Sequence, residues 1–372
     1  MMKNNKAWRP LEGVKIADFS MLLPGPLTTA IFADLGAEVV KIEPPTGDSA
    51  RTLLPDLFRA INRNKRSVVL DLKNPDSREA VQEIAQWADI VVETFRPGVA
   101  DRLGIGFGQL AAVNPRLVYC SLSGYGQDGP WKERPGHNMN YLAAAGGLVF
   151  PGAWGWAPAS SSLPIADISG GAFAASAILA ALRECEKTGQ PKRLDLSLFE
   201  SALFCAALRH GLEENADNTI HLFANNSLFS TADGAMITLA LLEEHFWENF
   251  RVLVSDIAPA LREAKFDTPA GRREHGDELY ALMCDLIRSR NVDAWRELLQ
   301  GKDIPFEVCV TPAEAACSVH VAARGRVAEQ AGQRFVPFPV TVNDDVRPQV
   351  HAAAPALGEY TQDFFTALRT KA

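Results

Sequence analysis

The feature that most constrains the fold is the alternation of short apolar segments with helix-like segments in the first half of the chain. Strand patterns lie at residues 14–19, 39–42, 67–72, 89–94 and 117–122. The centre of the segment 89–94 is continuously apolar, which is typical of a strand that is covered on both faces. This alternation predicts a parallel, doubly wound sheet with right-handed crossovers.

Helix patterns connect these strands. One helix is predicted to begin at Pro26 and to end at Gly36, with proline at its start and glycine after its end. Another follows at 75–87, and the pattern becomes helical again at 172–182. The rest of the pattern predicts a strand at 193–198, a helix at 199–212, a polar linker at 213–219, a strand at 236–241, helices at 244–254, 276–289 and 292–299, and a short strand and turn at 305–312.

Composition excludes several classes of protein. A chain of 372 residues is long enough for two domains. Its net charge of −8 and its lack of a dense basic run argue against nucleic-acid binding. Its six cysteines lack C-x-x-C spacing, so we expect small core residues rather than a zinc site or a disulfide framework.

The N-terminal residues 1–6 are not followed by an apolar run, and no uncharged apolar stretch reaches the ~18 residues that a bilayer span needs. The longest candidate, 170–182, is alanine-rich and is expected to be a buried helix. We therefore expect a cytoplasmic protein with no membrane partner.

The strongest local motif is Pro164-Ile165-Ala166-Asp167-Ile168-Ser169-Gly170-Gly171, which precedes an alanine-rich helix. Asp167 could cap that helix through its carboxylate. The glycines could let a ligand approach the backbone, where free amides and the helix dipole favour developing negative charge. The motif alone leaves both a structural cap and a ligand site open.

His137 follows a Gly/Pro-rich loop and precedes a helix-like run, so it could be exposed at a helix start or merely structural. Residues 104–108 contain three glycines but lack G-x-G-x-x-G spacing, which predicts a turn between short helices. The glycine-containing loop at 123–130 follows a strand, where open α/β sheets form ligand crevices.

Together these segments resemble the family III coenzyme A (CoA) transferases and their relatives, the α-methylacyl-CoA racemases. The resemblance covers nearly the whole chain. The matching motifs, in chain order, are 11–18, Gly25-Pro26, 33–43, 62–73, 93–98, 114–117 and 357–361.

The resemblance implies an α/β fold with two domains and an interlocked homodimer. The large CoA-binding domain, which has a Rossmann-like doubly wound parallel sheet, is expected at 1–215 and 325–372. A smaller α+β domain is expected at 225–322, with linkers on either side. It implies no prosthetic group, because CoA enters as part of the acyl-CoA substrate.

The resemblance also implies catalytic roles. In the transferases, the aspartate that matches Asp167 attacks the thioester and becomes an aspartyl-CoA thioester after a mixed anhydride. In the racemases, that aspartate and a histidine matching His137 act as two bases on the α-carbon, and a glutamate matching Glu243 supports the histidine. The positions that match the family's CoA site are Leu23, Pro24, Leu70, Lys73, Thr94, Phe95, Arg96 and Arg102.

The presence of His137 and the absence of a G-G-G-G loop favour epimerisation of a 2-methylacyl-CoA. Transfer of CoA between carboxylic acids is the alternative, and an inactive acyl-CoA-binding protein is the third. Three departures from the family pattern bear on this choice: Asn138 stands where Asp is usual, Pro44 stands where Arg is common, and 224–228 replaces a glycine-containing stretch.

Overall fold

The computed structural model describes residues 7–213, 220–343 and 346–371. These residues form two compact units. The first comprises the described residues within 1–145, 161–205 and 318–372, and the second those within 146–160 and 206–317. The second unit thus includes 146–160, which the sequence placed in the large domain. Residues 214–219 of the predicted linker lie outside the described residues.

The first unit is built on a six-stranded sheet in which all neighbouring strands are parallel. Its strand order is β3-β2-β1-β4-β5-β6, so the predicted doubly wound sheet is confirmed. The strands are β1 (Lys15–Phe19), β2 (Glu38–Glu43), β3 (Arg66–Val69), β4 (Ile90–Glu93), β5 (Val118–Ser123) and β6 (Lys192–Ser197).

Short antiparallel strands complete the two units. A three-stranded sheet in the second unit has the order β7-β8-β9, and the pair β10-β11 lies in the first unit. These strands are β7 (Asn226–Ser230), β8 (Met236–Ala240), β9 (Phe306–Val308), β10 (Ala328–Gln330) and β11 (Gln333–Phe335).

Helices connect most of the strands. They are α1 (Pro24–Asp34), α2 (Ala50–Leu53), α3 (Pro55–Ile61), α4 (Arg78–Trp87), α5 (Val99–Arg102), α6 (Phe107–Ala111), α7 (Asn138–Ala144), α8 (Ile165–Thr188), α9 (Leu198–His210), α10 (Glu244–Leu253), α11 (Pro269–Glu274), α12 (Gly276–Arg288), α13 (Val292–Leu299), α14 (Pro312–Ala316), α15 (Val319–Arg324) and α16 (Thr361–Lys371). Short 3₁₀ turns occur at Pro75–Ser77, Pro259–Arg262 and Ala264–Phe266.

Both faces of the large sheet are covered, which explains why its strands read as apolar runs. Successive residues of one strand point to opposite faces, so Ile16 and Ala17 belong to different core clusters. Ile16 packs in a cluster with residues of α1 and α8. Ala17 packs in a cluster with residues of α4 and α16.

Helix α8 is longer than the sequence predicted. It runs for 24 residues and is, among the described helices, the one long and apolar enough to cross a membrane by length and composition alone. Ala174 and Ile178, on its third and fourth turns, are fully buried in the cluster beneath the sheet. This burial is typical of the core helix of a folded domain.

The expectation that the cysteines are small core residues is confirmed only in part. Cys120 and Cys185 are buried, and both belong to the core cluster under α8. Cys309 and Cys317, by contrast, are exposed. Cys309 directly follows β9 and Cys317 directly follows α14, so apolar flanks did not predict burial there.

The second unit has a core of its own. Trp247, Phe250, Met283 and Trp295 are at most 1% exposed and pack in one cluster. The segment 146–160 is fastened to this unit through Trp154. The Trp154 indole N–H donates to Asp277 Oδ1 at 3.1 Å, and the Ser227 hydroxyl donates to the Trp154 carbonyl at 3.0 Å.

A network of buried charges lies beside the carboxyl ends of β1 and β2. Asp18, Lys41, Asp48 and Lys65 are each at most 2% exposed. Lys65 Nζ lies 3.0 Å from Asp18 Oδ2, and Lys41 Nζ lies 2.9 Å from Asp48 Oδ2. Both ammonium groups also bind the segment after β1, because Lys41 donates to the Ser20 carbonyl at 2.8 Å and Lys65 donates to the Pro26 carbonyl at 2.9 Å.

The electrostatics of Asp18 show that this network favours its ionised form. Burial by itself would raise the pKa of Asp18, and the charges of Lys65 and Lys41 oppose that rise. Hydrogen bonds from the Ser20 and Thr29 hydroxyls act in the same direction, and the pKa falls to about 2. The folded state therefore holds Asp18 as a carboxylate.

We expect Asp18→Asn to lower the free energy of unfolding by about 3–5 kcal/mol, because it leaves the buried Lys65 without its partner charge. Urea denaturation measures this change. Asp56→Asn, at an exposed pair with Arg59, is the matched control and should cost less than ~1 kcal/mol.

The pH dependence of the free energy of unfolding should also differ in Asp18→Asn. Because the pKa of Asp18 is about 2 when folded and ~4 when unfolded, its contribution is full above pH ~4 and is lost as the pH falls toward 2. This part of the acid dependence should be missing in Asp18→Asn. Equal destabilisation by Asp18→Asn and Asp56→Asn would contradict a stabilising role for the network.

Candidate active site

The strand order predicts a ligand crevice between β1 and β4. These strands are neighbours at the centre of the sheet, and the chain continues from them to opposite edges. Open α/β sheets bind ligands outside the carboxyl ends of the strands at such a switch point. Leu23 and Pro24 follow β1, and Thr94, Phe95 and Arg96 follow β4, so five predicted CoA positions lie at this point.

The two sides of the crevice are joined by a hydrogen bond in which the Met21 amide donates to Thr94 Oγ1 at 3.0 Å. Leu22 has φ of 64°, a conformation that is unusual for a bulky residue. Its amide donates to Asp48 Oδ1 at 3.2 Å, so the charge network supports this bend. A side chain at Gly25 would collide with Ser20 and Thr94, which explains the glycine there.

The segment after β4 is shaped by Glu93, which the sequence did not identify as a site residue. Glu93 is buried, and its Oε2 accepts a hydrogen bond from the Phe95 amide at 2.7 Å. Burial raises the pKa of Glu93 to about 7, although hydrogen bonds with Ser121 and the Phe95 amide oppose the rise. Phe95 itself packs partly against the core cluster of that sheet face, as does Leu70.

A groove of about 360 Å³ lies on the first unit between the segment after β3 and helices α4 and α5. Lys73 and Arg102, two of the predicted CoA positions, line it together with Arg78. Guanidinium and ammonium groups are the usual partners of phosphates. The sequence missed Arg78, although its position at the start of α4 five residues after Lys73 was a usable signal.

Asp167 is the third residue of α8 and is half-buried. The interpretation of Asp167 as a helix cap is wrong, because the N-cap residue is Pro164 and no side chain of the motif caps the helix. Burial raises the pKa of Asp167 to about 6, and the nearby charge of His137 partly opposes the rise. The two residues are thus within electrostatic reach of each other.

The glycines after Asp167 have a packing role, which differs from the expected approach of a ligand to the backbone. Gly170 and Gly171 lie inside α8, within its second turn. A Cβ on Gly170 would lie 2.4 Å from Leu198, and one on Gly171 would lie 2.8 Å from the Pro24 carbonyl oxygen. Glycine therefore allows α8 to pack closely against α1, whose first residue is a predicted CoA position.

His137 lies at the predicted place, as the exposed N-cap residue of α7. Its backbone amide donates to Asn140 Oδ1 at 3.0 Å. The His137 ring lies at the protein surface, close enough to Asp167 to affect the pKa of that carboxyl.

Tyr141, which the sequence did not identify, connects this pair to the crevice. It is buried, and its hydroxyl donates to the Gly136 carbonyl at 2.5 Å. Burial raises the pKa of Tyr141 to about 12, the charge of Asp167 contributes to the rise, and the charge of Arg96 opposes it. Gly124, in the predicted glycine loop, lacks room for a Cβ because Tyr141 lies against it.

The remaining predicted residues lie elsewhere. Glu243 is exposed at the N-cap of α10 in the second unit, and its support of His137 stays a prediction. The predicted turn within 104–108 lies between α5 and α6, although Phe107 and Gly108 already belong to α6. Pro44 follows β2, and the adjacent Glu43 is paired with Arg51 at 2.7 Å.

The chain is similar to known proteins over nearly its whole length. An acyl-CoA transferase of Fusarium pseudograminearum is 32% identical over 94% of this chain and 83% of that protein. An acetyl-CoA:oxalate CoA-transferase of Acetobacter aceti is 31% identical over 94% of this chain and 93% of that protein. The solved structure of a CAIB/BAIF family protein from Brucella suis has a TM-score of 0.84 at 27% identity, covering 98% of this chain and 100% of that one.

The sequence matches the model of CoA-transferase family III over residues 11–361, which confirms the resemblance drawn from the motifs. The chain therefore belongs to CoA-transferase family III.

Proposed function

We propose that this protein transfers CoA from an acyl-CoA to a second carboxylic acid, with Asp167 as the nucleophile. The observation that carries the proposal is the half-buried Asp167 in the first turn of α8, with its pKa raised to about 6. A carboxylate with such a pKa is ionised at neutral pH and is a stronger nucleophile than an ordinary surface carboxylate. The names of the similar proteins, which describe acyl-CoA and acetyl-CoA:oxalate transferases, support transfer.

The reaction balances through two mixed anhydrides. An Asp167 oxygen attacks the thioester carbonyl, the C–S bond breaks, and CoA thiolate leaves. The thiolate then attacks the Asp167 carbonyl of the anhydride, which releases the donor carboxylate and forms an aspartyl-CoA thioester. The acceptor carboxylate attacks that thioester to give the second anhydride and CoA thiolate, which then attacks the acceptor's carbonyl to give the new acyl-CoA and free Asp167.

The electrostatics of the site support this series of reaction steps. The N-terminus of α8 presents the positive end of the helix dipole to the negative charge that develops beside Asp167. Lys73, Arg78 and Arg102 in the groove would hold the phosphates of CoA, and Leu23, Pro24 and the segment 94–96 would contact the rest of the cofactor at the switch point.

Epimerisation of a 2-methylacyl-CoA is the second candidate. The observation that favours it is the electrostatic interaction between His137 and Asp167, because a racemase needs two bases that reach one α-carbon. In that reaction one base would remove the α-proton and the other would return it to the opposite face. Glu243 would then support His137, as the family resemblance implies.

We expect Asp167→Asn to lower acceptor-dependent transfer by at least ~10³-fold, because the amide cannot form the anhydride. The measurement is formation of the new acyl-CoA, with mass spectrometry for a CoA adduct on Asp167. The control is Asp363→Asn, an exposed residue of α16, which should retain wild-type rates. Wild-type rates in Asp167→Asn would reject both enzymatic candidates, whereas acyl-CoA binding by an inactive wild type would favour a binding protein.

The rate should rise with pH as Asp167 ionises. With a pKa of about 6 for Asp167, kcat/KM for transfer should fall on the acid side of pH ~6, where the carboxyl is protonated. His137→Ala removes a charge that lowers this pKa, so the acid limb should move to higher pH. An acid limb at pH ~4 in both proteins would contradict the raised pKa.

His137→Ala also separates the two reactions. In a transferase no α-proton moves, and the substitution should cost about tenfold or less at pH 8, where Asp167 is ionised in both proteins. In a racemase it should abolish α-proton exchange, with a loss of at least ~10²-fold. Incubation of a chiral 2-methylacyl-CoA in deuterated water, without an acceptor acid, measures this exchange. Deuterium uptake by the wild type that is lost in His137→Ala would favour the racemase.

A further inference from the structure

The first turn of α8 does not complete its own hydrogen bonds. The first amides of a helix have no partner within the helix, and a side chain at the N-cap usually accepts from one of them. The N-cap of α8 is Pro164, which has no side-chain acceptor. The amide of Ala166, the second residue of α8, donates instead to Asn138 Oδ1 at 2.9 Å.

Asn138 belongs to another helix. It is the first residue of α7, directly after His137, and Ala166 directly precedes Asp167. One hydrogen bond therefore joins the neighbours of the two candidate catalytic residues. In α7 itself, the side chain that accepts from the His137 amide is that of Asn140, whereas Asn138 Oδ1 accepts from α8.

We propose that Asn138 is a positioning residue that caps α8 from α7 and thereby holds the Asp167 carboxyl opposite His137. This inference rests on the proposed function of Asp167. Asn138 does not touch the reacting atoms and acts through Asp167. A single cap adds little to the stability of a chain of this size, but a displacement of ~1 Å at a reacting group can cost on the order of 10²-fold in rate.

The neutral side chain of Asn138 also affects the electrostatics around Asp167. The pKa of Asp167 is affected by the charge of His137, and the pKa of the neighbouring Tyr141 is affected by Asp167, Tyr125 and Arg96. These side chains form one group of charged or titratable residues. Asn138 accepts the Ala166 hydrogen bond without adding a negative charge to this group. A carboxylate at position 138 would accept the same bond, but it would oppose the ionisation of Asp167.

The experiment compares Asn138→Ala and Asn138→Asp with Asn114→Ala. Asn114 is a matched control because its Oδ1 also accepts from a backbone amide, that of Arg116, at a different place in the first unit. Its side-chain amide donates in addition to the carbonyls of Ala85 and Ala88. We measure kcat and KM for transfer, the pH profile of kcat/KM, thermal unfolding, and hydrogen exchange of the peptide that contains Ala166.

Asn138→Ala should lower kcat by 10- to 100-fold and change KM for the acyl-CoA less than threefold, with faster exchange at Ala166 and no greater loss of thermal stability than Asn114→Ala. Asn138→Asp should restore slow exchange and recover much of kcat at pH 8. Its acid limb should lie at higher pH than that of the wild type, which loss of packing alone would not produce.

The proposal is overturned if Asn138→Ala keeps the kcat of Asn114→Ala, or if kcat falls in Asn138→Ala and Asn138→Asp alike without a shift of the acid limb. Failure of the proposed function is distinguishable, because the wild type would then form no CoA adduct on Asp167. In that case the changes in kcat no longer test the role of Asn138. Hydrogen exchange at Ala166 still decides whether Asn138 caps α8.

Discussion

The buried charges beside β1 and β2 are the constraint on which the candidate site depends. Lys41 and Lys65 are held by Asp48 and Asp18, and they bind the carbonyls of Ser20 and Pro26 at either end of the bend after β1. Buried ion pairs seldom add much to stability compared with apolar packing, but loss of one partner is costly. The network is therefore better understood as a device that fixes one backbone path, including the unusual conformation of Leu22, than as a source of net stability.

Much of the sheet could be predicted from the sequence, because a strand buried on both faces leaves a local pattern of apolar residues. The bond between Asp18 and Lys65 left no such pattern, since it joins residues 47 positions apart. Lys41 lies within β2, where a lysine reads as a surface residue, yet it is fully buried. Such contacts depend on how β1, β2 and the segment before β3 pack in three dimensions, which a one-dimensional pattern does not contain.

The same limit applies to the candidate site. The motifs identified Asp167 and His137, but they gave no reason to select Tyr141, and the bond between Ala166 and Asn138 spans 28 positions. The glycines after Asp167 were misinterpreted because a Gly-Gly pair before an alanine-rich run resembles a loop, whereas close packing of two helices also requires small residues. Local sequence thus indicates which residues carry chemistry, and the tertiary contacts determine how those residues are oriented.

The path of the chain between His137 and Asp167 has a consequence for how such an enzyme can diversify. Residues 146–160 leave the first unit and are anchored by Trp154 in the second, before the chain returns to α8. The parts of the chain before and after this segment are joined by the hydrogen bond from the Ala166 amide to Asn138 Oδ1. Because the entropic cost of closing a loop changes slowly with its length, insertions and deletions within 146–160 change that cost only slightly. Evolution can therefore vary this segment while the spacing of the two reactive side chains is inherited unchanged.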